Sequence, residues 1–213
     1  MKKITLNLIL LLFLSPNLFS EQIRVACVGD SITYGAGIKD RKNMNYPKQL
    51  GKLLGKEYEV RNFGNSGSTM LKKGDKPYWK QKEFKAALEY APNIVIIKLG
   101  TNDTKPQNWK HGAEYSVDYK AMISSFKNLS SKPKVYICLP VPVVKTRWGI
   151  TNEIVIKEII PAIRKVSDQT KSEIIDLNTP FKGKNELIPD FVHPNGAGAT
   201  VIAKTVKNCI NKQ

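Results

Sequence analysis

Short apolar, β-branched runs recur along the chain at 23–28, 58–62, 94–99, 135–139 and 174–177. Their length and composition are those of strands buried in a sheet. Between them, at 46–54, 81–90, 117–129, 154–170 and 197–210, apolar residues return with helical spacing. Strands and helices taking turns is the pattern of βαβ units, whose right-handed crossovers make the strands parallel. The expected architecture is therefore α/β, a three-layer α/β/α sandwich around a five-stranded parallel sheet. In such a sheet ligands collect beyond the carboxyl ends of the strands.

The polar motifs fall at those ends. Gly29-Asp30-Ser31 follows the first strand, Gly64-Asn65-Ser66-Gly67 the second and Gly100-Thr101-Asn102-Asp103 the third, while Asp190-Phe191-Val192-His193 lies beyond the fifth. All four are expected at one rim. A serine hydroxyl is a weak nucleophile until a base takes its proton, and that base needs a third group to orient it. His193 sits between Pro189 and Pro194 in a loop that also places Asp190 three residues before it. Asp190 can then hold Nδ1, leaving Nε2 for Ser31. Hydrolysis of an ester further requires donors for the developing oxyanion. Three are at hand: the backbone N–H groups of Ser31 and Gly67 and the side-chain amide of Asn102.

Each piece has a plainer reading when taken alone. Asp30-Ser31 suits a helix cap, Gly64 and Gly67 a turn, and Asn102-Asp103 a loop or N-cap. His111 competes as the base, but Lys110 beside it opposes an imidazolium and no carboxylate is adjacent. Four motifs in fixed order, each after a strand, carry more than any one of them. In that order the chain resembles the GDSL/SGNH hydrolases, whose four named residues correspond to Ser31, Gly67, Asn102 and His193, with Asp190 completing the Asp-x-x-His block. The resemblance spans nearly all of 21–213 and implies a flavodoxin-like fold and acyl-ester hydrolysis through an acyl-serine, without a cofactor. One departure is Ile32 where the family name places leucine; both are apolar. The Gly-x-Ser-x-Gly elbow of α/β-hydrolases is not met, because Thr33 stands two residues after Ser31.

The first twenty residues stand apart from this domain. Lys2 and Lys3 precede an apolar run that closes near Ser20. The run is too short to cross a hydrocarbon core of roughly 30 Å, and it reads as a secretory signal over 1–20. Export to the periplasm or the medium is expected, with one domain over 21–213 and no stable membrane insertion. The net charge of +16 suits an acidic sugar partner, or simply a soluble surface. The lysines are scattered without an aromatic recognition motif, so nucleic acid is not expected as a partner. Cys27, Cys138 and Cys209 form neither a disulfide framework nor a zinc spacing, and with two histidines in the chain no metal is expected. A monomer is the default.

Substrate choice rests on other residues. Arg147-Trp148, after the fourth strand, joins a cation to an indole and suits a sugar ring bearing a carboxylate. Asn45-Tyr46-Pro47, Arg61-Asn62-Phe63-Gly64 and the stretch from Lys98 to Trp109 resemble bacterial sialate O-acetylesterase-like and carbohydrate-esterase members. The expected substrate is an O-acetylated glycan, on sialic acid or of plant type. A lysophospholipase or thioesterase is the enzymatic alternative, and a glycan-binding protein without catalysis the non-enzymatic one. Lys98, within an otherwise apolar strand, and Asp30 are read as structural.

Overall fold

The computed structural model describes residues 21–211, so the signal expected over 1–20 lies outside the described residues. Five strands form one parallel sheet: β1 (Ile23–Gly29), β2 (Tyr58–Gly64), β3 (Ile94–Lys98), β4 (Lys134–Leu139) and β5 (Glu173–Asp176). Their order is β2-β1-β3-β4-β5. The chain reverses direction across the sheet between β1 and β3, and the crevice at that switch point is where a doubly wound fold binds ligands.

Alternation along the strands builds two cores. Val25, Cys27, Ile96, Tyr136 and Cys138 point to one face and meet Leu50 of α2 (Tyr46–Leu54) and Ile202, Ala203 and Val206 of α6 (Gly196–Ile210). Ala26, Val28, Val95, Ile97 and Ile137 point to the other. They pack on α3 (Lys82–Glu89), α4 (Tyr115–Lys127) and α5 (Ile160–Thr170). A short turn, α1 (Ser31–Tyr34), precedes all of these, directly after β1. The strands thus read as near-continuous apolar runs because both faces are covered.

Two expected helices differ in detail. The stretch 154–170 is not one α-helix: Val155–Ile159 is a π-turn, closed by the Ile160 N–H on the Val155 carbonyl. Pro161 has no N–H to return and its ring would strike the carbonyl four residues back, so the backbone widens just before it. The helix expected over 117–129 begins at Tyr115, because Tyr115 and Tyr119 already bury one face, stacked at 5.8 Å. Cys27 and Cys138 are buried and, among the described residues, no disulfide forms. Burial pushes the Cys27 thiol up to about 12, Tyr46 pulling weakly the other way, and raises that of Cys138. Among the described residues no helix is long and apolar enough to cross a membrane.

Candidate active site

β1 delivers Ser31 to the rim, and the turn it starts lies almost flat on the sheet. A Cβ on Gly29 would stand 2.1 Å from the Thr33 hydroxyl oxygen, and one on Gly64 2.2 Å from the Tyr34 nitrogen. Only glycine lets α1 settle there. Asp30 caps the turn, its Oδ1 accepting from the Ile32 N–H at 2.9 Å. The plainer reading of Asp30 as a cap is therefore correct, and it coexists with a second role for its carboxylate.

Ser31 Oγ lies 2.9 Å from His193 Nε2, and His193 Nδ1 lies 2.7 Å from Asp190 Oδ2. The other oxygen, Oδ1, accepts the backbone N–H groups of Val192 and His193 at 3.0 and 2.6 Å. With all donors turned toward it, Asp190 stays below the usual carboxylate range: partial burial pulls upward, but the His193 N–H, its imidazole and the Val192 N–H prevail. The loop is pinned to its surroundings at three places. Val192 joins Val143, Ile150 and Val155 in a small apolar cluster, the Val144 N–H donates to the Phe191 carbonyl at 2.9 Å, and Arg147 Nη1 donates to the Asp190 carbonyl at 3.1 Å. Phe191 itself takes φ +73, a strained left-handed backbone.

The three expected oxyanion donors gather beside Ser31. Gly67, at φ +83, occupies the third position of the turn over 65–68, which the Ser68 N–H closes on the Asn65 carbonyl at 3.2 Å. A side chain is disfavoured in that left-handed position. Asn102 donates one amide hydrogen to the Ser68 carbonyl at 3.1 Å, fixing its head group and leaving the second hydrogen. The N–H groups of Ser31 and Gly67 have no acceptor among the described residues.

Beneath these groups lies an ionic layer that the sequence only hinted at. Lys98 Nζ, 1% exposed, reaches both oxygens of the fully buried Asp30 at 3.0 and 3.1 Å and the Thr101 hydroxyl at 2.9 Å. Asp103, also fully buried, accepts from the Met70 and Leu71 N–H groups at 3.0 and 2.8 Å and so ties the β2 loop to the β3 loop. Burial pushes its carboxyl up to about 7, against the pull of those donors and with Asp30 adding to the rise. Unfolded, the group ionises near 4, so the folded chain holds the extra proton between about 4 and 7. Stability from this group is therefore full at the acid end of that window and falls as pH rises through it, by at most about 1.4 kcal/mol per pH unit. Denaturant unfolding between pH 5 and 8 should show this slope in the wild type and its loss in Asp103→Asn.

Ser31, Gly67, Asn102, Trp148 and His193 line one cleft of about 280 Å³, together with Ser66 and Lys105 from the quoted motifs and with Ala36 and Ile150, which the sequence did not single out. Trp148 is 55% exposed, with its ring centre 5.6 Å from that of His193. Arg147 lies over the indole at 4.2 Å, so the pair singled out in the sequence borders the cleft. Trp109 instead packs against Tyr115, with ring centres 5.8 Å apart. His111 is not among the cleft residues; it precedes the short turn Gly112–Glu114.

Comparison with known proteins bears on the family and the fold of the chain. The chain is 38% identical over 208 residues to an acetylxylan esterase from Xylanibacter ruminicola, a match covering 89% of this chain and 43% of that protein. It thus spans less than half the length of that relative. Among solved structures, the carbohydrate acetylesterase Est24 from Sinorhizobium meliloti superposes with a TM-score of 0.71 at 19% identity, covering 89% of this chain and 98% of that one. An aryl esterase from M. smegmatis gives 0.71 at 18%, covering 88% and 97%. At such identities these two speak for the fold alone. The model of the GDSL-like lipase/acylhydrolase family matches residues 27–201, from within β1 to within α6, and the chain belongs to that family.

Proposed function

We propose that this chain is an exported serine esterase that removes O-acetyl groups from a carbohydrate through an acyl-serine intermediate. The observation that carries the reading is the unbroken row from Ser31 Oγ through His193 to Asp190, at 2.9 and 2.7 Å, opening on a cleft that also holds Gly67 and Asn102. In this reading His193 takes the serine proton as Oγ attacks the acetyl carbonyl, and the oxyanion forms among the Ser31 and Gly67 N–H groups and the Asn102 amide. The imidazolium, held by Asp190, returns the proton to the departing sugar hydroxyl. A water activated by the same imidazole then releases acetate and frees Ser31.

Acetyl is favoured over a long acyl chain by the size of the cleft, about 280 Å³, which is at the low end for ligand pockets. Its aliphatic lining is limited to Ala36 and Ile150. The similarity to an acetylxylan esterase supports a carbohydrate as the alcohol. The export part of the proposal rests on the composition of residues 1–20.

The test is product release by the purified protein from acetylated sialic acid, acetylated xylan and a lysophospholipid panel, with a serine-directed phosphonate to label the nucleophile. Acetate release blocked by a label on Ser31 is the expected result. Fatty-acid release alone would reassign the chain to lysophospholipids, and binding without turnover would leave a lectin-like role. Within the same assay Asn102→Ala should lower kcat by about 10²–10³ with little change in KM, because its amide acts on charge that develops only in the transition state.

A further inference from the structure

The cleft at Ser31 is not the only hollow at this rim. A second, of about 400 Å³, lies on the far side of the nucleophile turn, and Tyr34, Arg41, Lys42 and Glu83 supply its side-chain chemistry. The two hollows are lined by neighbouring stretches of the same two segments. Ala36 and Ser66 line the first, Tyr34 and Gly64 the second, so each wall passes from one to the other within two residues, at most about 7 Å of chain. A ligand longer than one sugar ring that presents an ester to Ser31 can therefore reach both.

The same device stands at each end. On one side Arg147 lies over Trp148 at 4.2 Å; on the other Arg41 lies over Tyr34, which is 38% exposed, at 4.0 Å. Stacking on a ring steadies the guanidinium and leaves N–H groups at its edge, the geometry in which arginine reads a carboxylate; Arg147 spends one Nη1 hydrogen on the Asp190 carbonyl and keeps its others. Arg41, Lys42 and Arg147 form no ion pair among the described residues. Their charges are not spent on the protein's own acids. Asn45 and Asn62, by contrast, are consumed in holding backbone: Asn45 caps α2 and bonds the Arg41 carbonyl, and Asn62 bridges the Thr33 carbonyl and the Gly64 N–H. Glu83 uses one oxygen on Asn65 and keeps the other for a hydroxyl donor.

The geometry points to a chain-length and charge specificity that no single-sugar subsite would have: the substrate is an acidic glycan chain lying across Ser31, with one carboxylate-bearing unit over Trp148 and Arg147 and another in the Tyr34–Arg41–Lys42 hollow. This rests on the esterase reading above. It assigns the second hollow as a sugar subsite and names carboxylates as what both ends recognise.

The test compares acetate release from three probes: an acetylated oligosaccharide carrying uronic acid units, its neutral acetylated counterpart, and 4-nitrophenyl acetate. The wild type should prefer the acidic oligosaccharide through KM, and the preference should shrink as salt rises from about 0.05 to 0.5 M, since exposed charges are screened. Arg41→Gln and, independently, Lys42→Gln should raise KM for the acidic chain, Arg41→Gln by about tenfold more than for 4-nitrophenyl acetate. A wild type that treats acidic and neutral chains alike overturns the inference while leaving the esterase intact. So does an Arg41→Gln variant whose losses are equal on all three probes. If the wild type hydrolyses none of the three, the esterase reading fails and this inference fails with it.

Discussion

Alanine in place of Ser31 should lower kcat on acetyl esters by about 10⁴–10⁶ while leaving KM and thermal stability close to those of the wild type. The size follows from what the hydroxyl does. Among the described residues its only polar contact is with His193 Nε2, so no structural bond is lost with it, and the backbone N–H of residue 31, the proposed oxyanion donor, stays in place. What disappears is the covalent path. Without Oγ, His193 can only direct water at a carbonyl that Gly67 and Asn102 still polarise, which accounts for a residue of about 10³-fold over the uncatalysed reaction. Steady-state hydrolysis of 4-nitrophenyl acetate, with a melting curve as the control for folding, measures both quantities. A variant keeping more than about one part in a hundred of kcat would show that Ser31 is not the nucleophile.

Lys98→Met should be the most damaging change away from the reacting atoms, costing about 3–5 kcal/mol of folding stability. It leaves a carboxylate at Asp30, 0% exposed, with no other cation paired to it among the described residues. Against a total of about 5–15 kcal/mol, such a loss removes a large share of the native population. The damage is local as well as global, because the same Asp30 carboxylate caps the turn that begins with Ser31. The double variant Asp30→Asn, Lys98→Met removes both charges and keeps a capping amide, so it should recover most of the loss; a buried pair costs more to break than to replace. Urea unfolding of the two variants decides the matter. A single variant within about 1 kcal/mol of the wild type would mean that the ammonium contributes little to holding Asp30.

Much of this was legible in the sequence because it is periodic or local. The alternation of Val25, Cys27 against Ala26, Val28 announces a strand covered on both faces, and the spacing of Tyr46, Leu50 and their neighbours marks α2 at the very bounds it has. The site was legible through motif order, since the fold turns order along the chain into adjacency along one rim. What stayed hidden is of two kinds. Partners far apart leave no periodic trace: Lys98 stood out as a charge in an apolar strand, but that it meets Asp30, across the β1–β3 register, is a fact of pairing. The Asp103 bonds to Met70 and Leu71 are hidden for the same reason. Local backbone choices were the other kind. The π-turn before Pro161 and the opposite fates of Trp109, packed, and Trp148, exposed, depend on how loops settle on a finished core.

Asp190 and His193 are three residues apart in one loop, and their two side-chain and backbone bonds close within it. Ser31 lies 162 residues away and meets that loop through a single hydrogen bond. The machinery thus has two rigid pieces and one joint. The base and its orienter travel together, so a fluctuation that lifts the loop from Val143, Ile150 and Val155 disengages the nucleophile without scrambling the pair. A displacement of that loop far smaller than unfolding would part His193 from Ser31, and reseating it would restore the contact, so the alignment of the row depends on this one seam as well as on the sheet behind it.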